Sequence, residues 1–294
     1  MAEKAGTQIA AQSVGGAVFR ILSNSVLRKA GIKCFTTICH RFFLFQYKAA
    51  FFPGRIPVTA VDHPLDREIP FSSRWVTVYL DFVAFWVRTV GFFLTRYGRK
   101  AIEPAADFLS SMGRLYCFAS EIYRKNLSTT NRPFCPKPRF VMIYAADPHL
   151  LCIPSLHVMI VIRTYTKFRD MIRKMGKEDE NAGPIEELYR GALDITEAIL
   201  YVKQHSVNCI PAAMYTMTCF EPTLFGEEEA VLFASHLFLR NGSPEKSGDI
   251  REYIIARYRR FLEESRSGGD WGEPLLRFLK DPSEITRIAC RRRF

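Results

Sequence analysis

From residue 8 to 31 the apolar positions Ile9, Val14, Val18, Ile21, Leu22 and Val26 recur at intervals of three and four. That spacing places them on one face of a helix, with Lys and Arg between them. A second apolar and basic segment, residues 35–52, stops at Pro53-Gly54. Residues 53–73 hold the breakers of a loop. The pattern then predicts long helices over residues 74–97 and 104–124. Residues 126–138, with three prolines and several polar side chains, predict a loop. Pro154 is expected to open a helix that runs to about residue 175, because proline suits a first helical turn. The charged stretch 174–181 reads as a surface loop. A further helix is expected over 184–204, continuing with a kink at Pro211 to residue 220. Residues 225–240 and 249–265 predict charged amphipathic helices, and Ser267-Gly268-Gly269 breaks before a short last one.

No period-2 run and no internal repeat occurs, so the chain reads as all-α, a helical bundle with extra amphipathic helices at both ends. Composition divides it into residues 1–52, aromatic and amphipathic; 53–220, the core; and 221–294, a charged extension.

At 294 residues, with 48% hydrophobic and 24% charged residues, the chain can bury a large core and is not a disordered protein. Its 24 phenylalanines, many of them between residues 35 and 93, suit an apolar helical core or a membrane boundary. A formal charge of +11 favours anionic partners: phosphate substrates or anionic lipid headgroups. Zinc-finger spacing and aromatic-basic signatures are lacking, so no nucleic acid is expected. The cluster Arg291, Arg292 and Arg293 reads as a solvated tail. The eight cysteines stand singly, without a CxxC pair, so no metal site is expected, and a reducing compartment or a membrane interior is favoured over a disulfide scaffold. No apolar segment with a small-residue cleavage site opens the chain, so no cleaved signal peptide is expected. Residues 76–95 are long enough to span a membrane but carry Asp81 and Arg88. Residues 150–162 and 209–220 are apolar yet shorter than the ~20 residues a span needs.

Three short segments carry the candidate chemistry. They are Lys125-x6-Arg132-Pro133, Pro154-Ser155-Leu156-His157 and Lys203-Gln204-His205-Ser206. Phosphoryl transfer needs neutralised charge, a nucleophile and a proton donor for the leaving group. Two cations, a serine and histidine at a helix start, and a second histidine supply those parts. Singly, each string is more common as surface cations, as a helix start or as a packed histidine. The joint order is what carries the signal.

That order resembles the type-two phosphatidic acid phosphatase superfamily, which includes lipid phosphate phosphatases, soluble acid phosphatases and vanadium haloperoxidases. The segment Leu65-Asp66-Arg67-Glu68-Ile69-Pro70-Phe71 is also similar to one found in some membrane members. The resemblance covers roughly residues 53–220. It implies a phosphate site between core helices, with Lys125, Arg132 and Ser155 binding phosphate. It further implies that His205 is the nucleophile of a phosphohistidine intermediate and that His157 protonates the departing alcohol. The activity implied is that of a phosphatase or phosphotransferase acting on a phosphorylated lipid or a small phosphate ester, without cofactor, at a membrane and in a multi-span chain. Two positions depart from the pattern. The family's aspartate four residues after the nucleophilic histidine is here Cys209, and its usual arginine six residues before that histidine is Ile199. Glu197, Asp194 and Asp147 are candidate replacement carboxylates. A phosphatase-like protein of impaired catalysis, binding phosphorylated lipid or a protein partner, is the alternative expectation.

Overall fold

Ser13 and Asn24 start the first two helices. The Ser13 hydroxyl accepts from Gly16 N–H at the head of α1 (Val14–Ser23), and the Asn24 side chain accepts from Val26 and Leu27 N–H at the head of α2 (Ser25–Ile38). Each side chain thereby satisfies backbone donors that a helix start leaves open. A π-turn, Cys39–Phe43, leads into α3 (Leu44–Phe51), which ends before Pro53-Gly54. The computed structural model describes residues 8–281 except 241 and 267. The arginine cluster 291–293 and Cys290 lie outside the described residues, as does Ser267.

The all-α expectation holds: the structure is 71% helical and 3% strand. The strand content is one parallel pair absent from the sequence pattern, β1 (Val58–Ala60) beside β2 (Leu127–Thr129), with Thr59 opposite Ser128. Three residues per strand are too few to show a period of two.

The helix expected over 74–97 is interrupted. It forms α4 (Val76–Leu80) and α5 (Phe82–Tyr97), with Asp81 at the break. The Asp81 carboxylate there accepts both Nη atoms of Arg88, so the two charges of this apolar run neutralise each other. Next comes α6 (Ile102–Tyr123). A short helix, α7 (Pro138–Ala146), follows the proline loop, and α8 (Leu156–Lys174) is the buried axis of the molecule. Helices α5, α6, α9 (Ala182–Tyr201) and α10 (Cys209–Phe220) pack around α8.

The expected kinked continuation from α9 into α10 is corrected: they are separate helices. Lys203 takes a positive φ of 56° in the turn between them, and Pro211 falls in the first turn of α10, where no N–H is needed. Helices α11 (Glu227–Ser235) and α12 (Ser247–Arg266) close onto α10, and α13 (Glu273–Lys280) packs on α12. The apolar cluster is continuous from Ile9 to Leu279 and draws on all three compositional segments.

The stretch Ser73–Tyr123 is long and apolar enough, by length and composition, to cross a membrane, and half of its most apolar window is buried within the protein. Among the described residues it is alone in meeting that test. Helix α1 packs on α5 through Gly91. A Cβ there would sit 2.7 Å from that of Ala17, so the close approach requires glycine.

Candidate functional site

Two of the three motifs meet in space. Ser155 is the residue before α8, its carbonyl accepting the Met159 N–H, and its hydroxyl is not spent on capping the helix. His157 lies in the first turn. His205 sits in the turn between α9 and α10, its N–H donating to the Ile199 carbonyl. Ser155 Oγ is 3.4 Å from His205 Nε2, and His157 Nδ1 is 3.1 Å from the same nitrogen. Three side chains drawn from positions 50 residues apart thus converge on one ring atom.

Arg132 borders this cluster. Its Nη1 donates to Gln204 Oε1 and its Nη2 to the Asp147 carbonyl, both at 3.1 Å, while the guanidinium lies over the Tyr144 ring. Gln204 immediately precedes His205, so Arg132 braces the turn that carries the candidate nucleophile.

Lys125 does not join them. It lies just beyond α6, where the chain turns into β2; Asn126 and Leu127 point inward, and Lys125 is left at the surface. Its Nζ pairs with Asp270 Oδ2 at 3.2 Å, and both side chains are about half exposed. Lys125, expected to bind phosphate, is thus not brought to the histidines in this conformation, and the C-terminal segment holds it on an exposed ion pair.

His149 belongs to the site and is absent from all three motifs. It adopts a positive φ of 61°, and its Nε2 lies 2.8 Å from Thr130 Oγ1. A proton on His149, like one on His157, would repel a proton on His205. The sequence offers no spacing signal for it, because a three-residue loop, Asp147-Pro148-His149, delivers it. Tyr79 and Phe82 were also not foreseen. Their rings stand 4.8 and 4.3 Å from the His157 ring and wall it in.

The electrostatics follow from burial. His157 retains a partly exposed edge, but desolvation of its ring, aided by His149, lowers its pKa to about 3. His205 is lowered well below the ordinary histidine value, first by burial and then by His157 and His149. His149 is lowered to about 4 by burial and by Arg132. At neutral pH the site is therefore a cluster of neutral imidazoles beside one guanidinium.

The position of Cys209 has a visible counterpart. The Cys152 carbonyl lies near enough to favour protonated His205, but His205 Nδ1 is buried and makes no hydrogen bond. Cys209 itself is fully buried, and burial together with Cys152 raises its thiol pKa far above the ordinary value. None of the candidate replacement carboxylates serves Nδ1. Glu197 accepts the Phe238 N–H, Asp194 pairs with Arg240, and Asp147 accepts the His149 N–H. Ile199 is a core residue whose carbonyl holds the turn of Gln204 and His205.

Among the described residues no three His, Cys, Asp or Glu side chains gather as metal ligands. Any group bound between the two rings must part them, since 3.1 Å between nitrogens leaves no room for another atom. No protein-family model, curated protein or solved structure matches this chain.

Proposed function

We propose that the protein is a phosphatase or phosphotransferase acting on phosphate monoesters, of lipids or related compounds, through a phosphohistidine. The observation that carries this reading is the convergence of Ser155, His157 and His205 on His205 Nε2. The Nε2 lone pair attacks phosphorus, the P–O ester bond breaks, and the departing alcohol oxygen takes a proton from the His157 imidazolium, which the bound phosphate dianion favours. Water, or a second alcohol, then attacks the phosphohistidine and returns a proton to His157. Ser155 and Arg132 are the hydrogen-bond donors available to the phosphoryl oxygens.

The test is phosphate release from a panel of lipid phosphates and a generic aryl phosphate, together with trapping of acid-labile phosphoprotein. Release and trapping that both vanish in His205→Ala are the expected result. A second reading, phosphate binding without turnover, is favoured by the unpartnered Nδ1 and by Cys209. Its signature is silence across the whole panel while inorganic phosphate still binds.

A further inference from the structure

The outer face of the N-terminal helices is apolar and basic at once. Twelve of the nineteen large apolar side chains exposed among the described residues fall within residues 14–58. The inner faces of α1 and α2 bury Ala17, Ile21, Leu27 and Cys34. The opposite faces expose Phe19, Leu22, Ile32 and Phe35, and the end of α3 exposes Phe51 and Phe52. Over residues 8–61 the sequence holds seven Lys or Arg and no Asp or Glu. None of the seven forms a salt bridge among the described residues.

We propose that this face docks in the plane of a lipid bilayer containing anionic headgroups. Exposed aromatic and aliphatic side chains beside unpaired cations are the chemistry of the headgroup–acyl boundary. The rings enter the acyl edge, and the Lys and Arg stems lie over it with their charges among the phosphates. Length and charge together decide between lying on a bilayer and crossing it. Helix α1 holds 10 residues, short of the ~20 a span requires. Helix α2 continues through the π-turn into α3, but Arg28, Lys29, Lys33, Arg41 and Lys48 break its apolar character. Among the described residues only Ser73–Tyr123 is long and apolar enough to span. A second copy of the chain is disfavoured as occupant, because its acid-free face would bring like charges together.

The face also reaches the site. The Tyr47 hydroxyl of α3 donates to the Ala145 and Ala146 carbonyls at the end of α7, and α7 exposes Val141 and Met142. A cleft of ≈ 580 Å³, lined by Phe45, Lys48, Phe52, Arg55, Leu127 and Leu150 among others, lies along the same side. Leu150 adjoins His149. The docked face would therefore set the histidine cluster beside the bilayer. The inference stands on the surface alone and does not depend on the reaction proposed above.

The experiment is sedimentation of the full chain with sucrose-loaded vesicles of phosphatidylcholine, with and without phosphatidylglycerol, at low and high salt. Binding should be about tenfold stronger to the anionic vesicles and should fall with salt. The exposed pair Lys48→Glu/Arg55→Glu should remove most of that preference. Phe51→Ser/Phe52→Ser and, on separate helices, Phe19→Ser/Phe35→Ser should each weaken binding about tenfold at any salt. All six side chains lie on the surface, and circular dichroism checks that each variant folds. Failure of the wild type to bind either vesicle overturns the proposal, as does binding indifferent to all three variants. Self-association that Phe51→Ser/Phe52→Ser abolishes would assign the face to a second copy instead.

Discussion

His157 Nδ1 and Ser155 Oγ both face one ring nitrogen of His205, at 3.1 and 3.4 Å, while the other ring nitrogen of His205 is buried without a hydrogen bond. One side of the imidazole thus faces two polar side chains, and the other makes no hydrogen bond. An attacking Nε2 needs the proton on Nδ1, and a buried N–H without an acceptor is costly in the imidazole and more so in the charged phosphohistidine.

Replacing Cys209 by aspartate tests that imbalance. Cys209→Asp is expected to raise the His205 pKa, followed by ¹⁵N NMR of the ring, and to increase phosphate release. The gain has a ceiling of about 10⁴-fold by analogy with other orienting carboxylates. An unchanged His205 titration in a folded variant would show that position 209 does not reach Nδ1.

Phosphate binding should take up a proton. Burial lowers the His157 pKa to about 3, so the ring enters neutral, and a bound phosphate dianion favours the imidazolium. Titration calorimetry with inorganic phosphate at pH 7, in buffers of different ionisation enthalpy, measures the uptake. His157→Gln should lose that uptake; equal uptake in variant and wild type would place the proton elsewhere.

The two cations of the first motif should separate cleanly. Arg132→Ala is expected to weaken phosphate binding about tenfold, the scale of one charge-assisted hydrogen bond. Lys125→Ala should leave binding unchanged and alter stability by less than about 1 kcal/mol, because its pair with Asp270 is exposed. A tenfold loss in Lys125→Ala would mean that the lysine leaves Asp270 when substrate arrives.

Glu197 makes stability depend on pH. Burial raises its pKa to about 7; the Phe238 N–H opposes that shift, and Asp194 adds to it. The folded value lies above the unfolded one, so the folded state holds the extra proton between about pH 4.5 and 7. Stability is therefore lost as pH rises through 7, by up to about 3 kcal/mol. Glu197→Gln keeps an acceptor for Phe238 and removes this loss. Urea denaturation should find the variant more stable than wild type at pH 8.5 and nearly equal at pH 4.5.

The sequence alone determined the helical class, most helix positions and the side chains that two motifs carry. Apolar spacing at threes and fours, Pro154 ahead of a helix, and Ser155 and His157 within one turn are local properties, and local rules hold for them. What joins distant segments was decided only by tertiary structure. The meeting of His157 with His205, the entry of His149 from a short loop, and the capture of Lys125 by Asp270 depend on how α6, α8 and the C-terminal helices pack. The break at Asp81 and the turn at Lys203 belong with them. A charged pair offsets desolvation, and a positive φ at a lysine is a strained conformation that only the folded surroundings hold, so spacing along the chain carries no record of them.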